Sequence, residues 1–162
     1  MTVPLLVRTL TAFLMPLTVG FVVPLWLLWT DDAPRTLHVI GLLPITVGTG
    51  LLLWCVRDFH VIGRGTIGPW DPPRHLVVVG PYRWSRNPMY VGVSLVLLGW
   101  VTAFRSSELL IYALIVMFAF QVRVVGFEEP WLARTHGEQW QRYQARVPRW
   151  LSLKRTSASV VP

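Results

Sequence analysis

Four apolar stretches divide the chain, each bounded by charged or turn-forming residues. Thr9 to Trp29 is interrupted only by threonines and by Pro16, Gly20 and Pro24, and its length matches the ~20 residues a helix needs to cross a bilayer. The two prolines predict a kinked span. It is too long for the apolar core of a signal peptide, and no small-residue cleavage site precedes Thr30-Asp31-Asp32, so a retained span is expected. Thr30 to Thr36 reads as a short polar turn and Leu37 to Val56 as the second span, giving a helical hairpin. Tyr90 to Phe104 and Leu109 to Val125 follow, separated by Arg105-Ser106-Ser107-Glu108. At ~1.5 Å per residue these two reach only about 22–26 Å, so they must borrow flanking residues or thin the bilayer locally.

The pattern changes outside these runs. Residues 57–87 carry Gly63, Gly65, Gly68 and Gly80, four prolines and five arginines, which predicts a structured loop containing a short extended piece at Leu76–Val79. From Gly126 to Trp150, Trp131, Leu132, Trp140, Tyr143 and Val147 recur near helical spacing among charged residues, predicting an interfacial helix closed by Pro148. Trp131 and Trp140 read there as membrane-surface anchors. The fold class is therefore an all-α integral membrane protein: four transmembrane helices (about 9–29, 37–56, 88–104 and 108–125), a C-terminal amphipathic interfacial helix and a structured cytoplasmic loop. Residues 1–155 form one domain, and 156–162 are expected to be a disordered tail.

Composition agrees with that class: 53% of the 162 residues are hydrophobic and only 14% charged. The single Cys55 excludes an intrachain disulfide framework and reads as a packing or lipid-facing residue. The net charge of +7 is distributed unevenly, because only Arg35 and Arg105 fall on one side of the spans and every other Lys and Arg on the opposite side. The positive-inside rule then puts both termini and the large loop in the cytoplasm of a multi-pass protein of the inner membrane. No basic stripe lies on a soluble domain, so nucleic acid is not an expected partner. The histidines have no ligand spacing, so no metal is expected either.

Candidate chemistry gathers on the cytoplasmic side. Arg74 to Tyr90 reads RHLVVVGPYRWSRNPMY and ends in Asn87-Pro88, a favoured cap followed by a residue suited to the first helical position. A helix starting there offers unpaired N–H groups and partial positive charge to an anion. Glu128-Glu129 follows the fourth span, and carboxylates at a bilayer boundary are costly unless paired or used on a ligand.

Gly80-Pro81-Tyr82, Ser85-Arg86-Asn87-Pro88-Met89-Tyr90, Glu128-Glu129-x-x-Leu132, then Gly137, Tyr143 and Val147-Pro148, resemble the membrane methyltransferases that group isoprenylcysteine carboxyl methyltransferases with phospholipid methyltransferases. Gly65-Thr66 and Trp70-Asp71-Pro72-Pro73 look like the small bacterial members. The resemblance implies S-adenosylmethionine as methyl donor and a lipid or other lipophilic acceptor. It implies a cofactor pocket lined by Arg74, His75, Leu76, Val77, Tyr82, Asn87, Pro88, Met89 and Tyr90 and closed by Glu128. Arg86 and Glu129 are the catalytic candidates. Arg123, beside the Val124 that replaces a substrate-facing Arg of the carboxyl methyltransferases, is the substrate-binding candidate. Asn87 stands where those enzymes carry His, which leaves the acceptor open between carboxylate, amine and another nucleophile. A nicotinamide-dependent reductase of the steroid-reductase type and a non-catalytic partner subunit remain open beside this reading.

Overall fold

The computed structural model describes residues 14–30, 36–58 and 76–151, and all regular structure among them is helical. Helix α1 is Leu14–Thr30, and α2 is Val39–Asp58, opening on a 3-10 turn at Val39–Gly41. After a 3-10 turn at Gly80–Arg83 come α3 (Pro88–Phe104) and α4 (Ser107–Arg123), and α5 is Glu129–Arg146. Two helical runs, α2 and Ser107–Arg146, which is kinked at Gly137, contain stretches long and apolar enough to cross a membrane, while α1 and α3 are shorter apolar helices. The expected beginning of the first span, the turn after it, most of the large loop and the tail lie outside the described residues.

Helix α3 is the centre of the bundle. Val93, Val96 and Leu97 pack with Leu52 of α2 and with Ala113 and Phe120 of α4 in the main core. Glycines set the α2–α3 spacing. A methyl group on Gly48 would lie 2.5 Å from the Gly92 carbonyl oxygen, and one on Gly99 would lie 2.8 Å from that of Gly41. Lipid tails are as apolar as these side chains, so such close backbone approach, rather than transfer from water, favours the contact.

The predicted kink in α1 takes the form of a π turn at Thr18–Val22. Its cause is Pro24, which has no N–H to give and whose ring crowds the carbonyl one turn back. The Val23 N–H reaches to Thr18 O instead, so Val19 O and Gly20 O lose the donors that regular α-helical pairing would give them. Other helices supply them: Tyr112 Oη donates to Val19 O at 2.9 Å, and Trp100 Nε1 to Gly20 O at 2.9 Å. Phe21 packs edge-on against the same indole.

The interfacial helix joins the fourth span through a second π turn at Val124–Glu128, and a kink at Gly137, whose φ of 48° is not helical, separates its C-terminal part from the part that continues the span. Proline is again the cause, here Pro130, and the Glu129 N–H reaches back to Val124 O.

Trp140 is not a surface anchor. It is 2% exposed and forms a second core with Tyr143 and Val147, covered by Leu76, Val78 and Leu132. The Leu76–Val79 piece makes no ladder among the described residues but alternates like a strand: Leu76 and Val78 face this core, while Val77 and Val79 face Cys55 and Tyr82. Cys55 is fully buried, so it packs within the protein and does not face lipid.

Candidate active site

The turn before α3 is stitched to the segment after α5. The Arg86 N–H donates to Pro148 O at 2.9 Å, and the Arg149 carbonyl accepts from Ser85 Oγ at 3.1 Å and Asn87 Nδ2 at 3.0 Å. Asn87 occupies the cap position, but its side chain is spent on Arg149, so no side chain caps the start of α3. Pro88, fully buried, brings no N–H of its own, and the first-turn amides of Met89 and Tyr90 open toward the same end of the bundle.

Glu128 and Glu129 neighbour one another in sequence yet belong to different clusters, because successive residues on a helix point about 100° apart. Tyr90 Oη makes a short hydrogen bond to Glu128 Oε1. Arg123 Nε donates to the same carboxylate oxygen at 2.8 Å and to the Tyr90 hydroxyl at 3.0 Å. Phe120 closes over the phenol ring with centroids 4.5 Å apart. The Tyr90 hydroxyl and Arg123 Nε both converge on Oε1, and Glu128 Oε2 receives no hydrogen bond among the described residues.

Glu129 is held at both oxygens. Arg149 Nε donates to Oε1 at 2.7 Å and Arg149 Nη2 to Oε2 at 2.8 Å, a two-pronged pair. Arg86 Nη1 lies 3.0 Å from the same Oε1, but neither it nor Arg86 Nε makes an aligned hydrogen bond, so its attraction to the carboxylate is Coulombic. The Arg86 guanidinium carbon sits 5.3 Å over the Trp140 ring. The Arg86 side chain is 10% exposed, and burial pulls its pKa below the usual guanidinium value, opposed by the Glu129 charge. The bonds to Glu129 hold the pKa of Arg149 above that value.

A family model of phospholipid methyltransferases matches residues 36–139, which include both acidic residues, Arg123 and the whole start of α3. The chain belongs to that family. No curated protein and no solved structure matches it. The family is one of membrane methyltransferases, in keeping with the apolar bundle.

Placed on this member of the family, the residues expected to bind the donor, to act in catalysis or to bind the substrate fall into three groups. Asn87, Pro88, Met89, Tyr90, Glu128 and Arg123 meet at the mouth of α3, with Met89 packed between the main core and the Cys55 cluster. Arg86 and Glu129 meet in the adjoining ion cluster. Leu76, Val77 and Tyr82 lie deeper: Tyr82 is buried against Cys55 and Val77, its backbone carbonyl accepts from Tyr143 Oη at 2.8 Å, and burial pushes its own phenol well above the ordinary tyrosine pKa. Arg74 and His75 lie outside the described residues.

Two residues absent from the sequence reading belong to this region. Arg149 is half of the clamp on Glu129, and its only signal was its place one residue after Val147-Pro148. Asp58 ends α2, 5% exposed, with Oδ1 3.6 Å from Arg57 and Oδ2 without a hydrogen-bond partner among the described residues. Its carboxylate fits beneath Gly80 because that residue has no Cβ and adopts a left-handed φ of 54°. A carboxylate closing an apolar run was the available signal.

Proposed function

We propose that this member of the phospholipid methyltransferase family is a four-span protein of the inner (cytoplasmic) membrane, with both termini cytoplasmic, that transfers a methyl group from S-adenosylmethionine to a lipophilic acceptor. One observation carries the reading: Tyr90, Arg123 and Glu128 meet beside a helix start that no side chain caps, and one Glu128 oxygen is left unspent. The residues suit the donor's chemistry. The amides of Met89 and Tyr90 match its carboxylate. Glu128 Oε2, with its side chain 31% exposed, matches an ammonium or a ribose hydroxyl, and the Tyr90 hydroxyl and Arg123 fix the carboxylate's orientation.

When bound, the donor supplies a methyl carbon on a sulfonium, open to in-line attack by an acceptor's lone pair. The protein's own part is to align the partners and exclude water, which supplies much of the rate. Arg86, Glu129 and Arg149 act in this reading as a clasp that holds residues 147–150 over the mouth of α3. With both Glu129 oxygens engaged and Glu128 given to the donor, the accepting of a proton from an amine or hydroxyl falls to water. The acceptor enters from the bilayer beside α4, its chains staying in lipid.

Incubating the purified protein in nanodiscs with methyl-deuterated S-adenosylmethionine and a total lipid extract, followed by mass spectrometry, tests this. A lipid gaining the labelled methyl group is the expected result. No labelled lipid, together with binding of NADPH, would replace the reading with a reductase.

A further inference from the structure

Asp58 is placed unfavourably in three ways, and no contact among the described residues offsets them. As the last residue of α2 it sets a negative charge at the helix end that is already negative through the backbone dipole. Its side chain is buried, Oδ2 has no hydrogen bond, and the arginine 3.6 Å from its other oxygen is 72% exposed. Room for Oδ2 exists only because position 80 is glycine at a left-handed φ, where a Cβ would collide with it. Orphaned buried polar atoms and rare backbone conformations gather where a fold serves function rather than its own stability.

The carboxylate adjoins the deepest of the three groups of candidate residues. Its charge acts on Cys55 and Tyr82, which pack with Val77, and Met89 joins that cluster to the main core beneath the mouth of α3. Val77 brings no polar side-chain atom, and the Tyr82 hydroxyl shares a hydrogen bond with Cys55. Asp58 Oδ2 is therefore an unspent acceptor in this cluster. Trp54, one turn earlier on α2, stands beside it: its Nε1 lies 3.0 Å from the point that a Gly80 Cβ would occupy. That indole is 44% exposed and meets Trp84 edge-on at 6.4 Å, and Gly80 is only half-buried. Exposed side chains change rotamer in picoseconds to nanoseconds, so turning Trp54 aside uncovers the carboxylate without moving the backbone.

We infer that Asp58 Oδ2 anchors the nucleoside half of the methyl donor, accepting from the adenine amine or the ribose hydroxyls, while Glu128 and the mouth of α3 hold the amino-acid half. The inference rests on the proposed use of S-adenosylmethionine. The division follows from charge. The donor's carboxylate and ammonium both lie at its amino-acid end, where the amides of Met89 and Tyr90 and the Glu128 carboxylate match them. Its nucleoside end donates through neutral N–H and O–H groups, and a carboxylate with an unspent oxygen accepts such bonds strongly.

Calorimetry on the detergent-solubilised protein and on Asp58→Asn, which keeps the shape and removes the charge, tests this with three ligands. They are S-adenosylhomocysteine, S-inosylhomocysteine, which lacks the amine, and the analogue without ribose hydroxyls. Asp58→Asn is expected to bind S-adenosylhomocysteine about tenfold more weakly, the scale of one hydrogen bond to a charged group. Its unfolding temperature without ligand should equal or exceed that of the unaltered protein, because an unpaired buried charge is gone. The analogues identify the partner: weaker binding of the inosine compound assigns the amine, and weaker binding of the other assigns the hydroxyls. The variant should discriminate against that analogue less than the unaltered protein does. Equal affinity of the two proteins for S-adenosylhomocysteine, or no loss with either analogue, overturns the inference and leaves the proposed function standing. So does a variant whose affinity and unfolding temperature fall together with its preference among the ligands unchanged, the mark of a structural carboxylate. An unaltered protein that binds no S-adenosylhomocysteine contradicts the proposed function and takes this inference with it.

Discussion

The two π turns share a sequence pattern and a backbone cause, and they differ in what surrounds them. The turn in α1 is closed into the bundle: Trp100 and Tyr112 occupy its carbonyls, and Val96 sits against its glycine. The turn between α4 and α5 carries Glu128 and Glu129 where the first carries Val22 and Val23, and its glycine faces open space. A proline-opened turn is thus a fastening point where neighbouring donors are built in, and in the proposed function a place for ligand chemistry where acids replace the apolar pair.

The contrast is broken most strongly by removing both donors from the closed turn. Trp100→Phe combined with Tyr112→Phe keeps an aromatic ring at each position but strands two carbonyls inside the bundle, at about 1–3 kcal/mol each, and the smaller ring at position 100 adds a packing loss. A thermal unfolding curve in detergent is expected to shift downward by several degrees or more, while turnover per folded molecule is unchanged. Next in size, Tyr90→Phe removes the hydroxyl shared by Arg123 and Glu128. Donor affinity measured by equilibrium dialysis should fall roughly tenfold, the scale of one hydrogen bond to a charged group, with little change in unfolding temperature. Arg149→Ala releases the clasp on Glu129 and leaves that partly buried carboxylate to Arg86 alone. Protease sensitivity after residue 146 should rise, and turnover should fall more than donor affinity does. The smallest effect belongs to Arg142→Ala on the outer face of α5, where the pair with Glu138 is exposed on both sides. Its stability should stay within about 0.5 kcal/mol and its activity should not change.

Hydropathy alone located the helices from α2 onward to within a few residues, because a long apolar run bounded by charge has few alternatives. The π turns were less legible. Pro16 and Pro24 suggested a kink, but the form of that kink depends on Tyr112 and Trp100, which lie far along the chain. Trp140 read as an interfacial anchor for a similar reason: an aromatic residue on an amphipathic helix resembles a membrane belt until Leu76, Val78 and Val147 are folded over it. The candidate site was visible as residue types, and the resemblance named most of its members. Its division into two clusters follows from the angular step of a helix at Glu128-Glu129, and the spending of Asn87 on Arg149 instead of on its own helix needed the three-dimensional partner.

The central claim is that the mouth of α3 and Glu128 together hold the methyl donor, and isothermal calorimetry with S-adenosylhomocysteine on the unaltered protein and on Glu128→Gln measures it most directly. The unaltered protein should bind, and the variant, folded by its unfolding curve, should bind at least about tenfold more weakly, the scale of one lost charged hydrogen bond. Equal affinities, or no binding by the unaltered protein, would contradict the account.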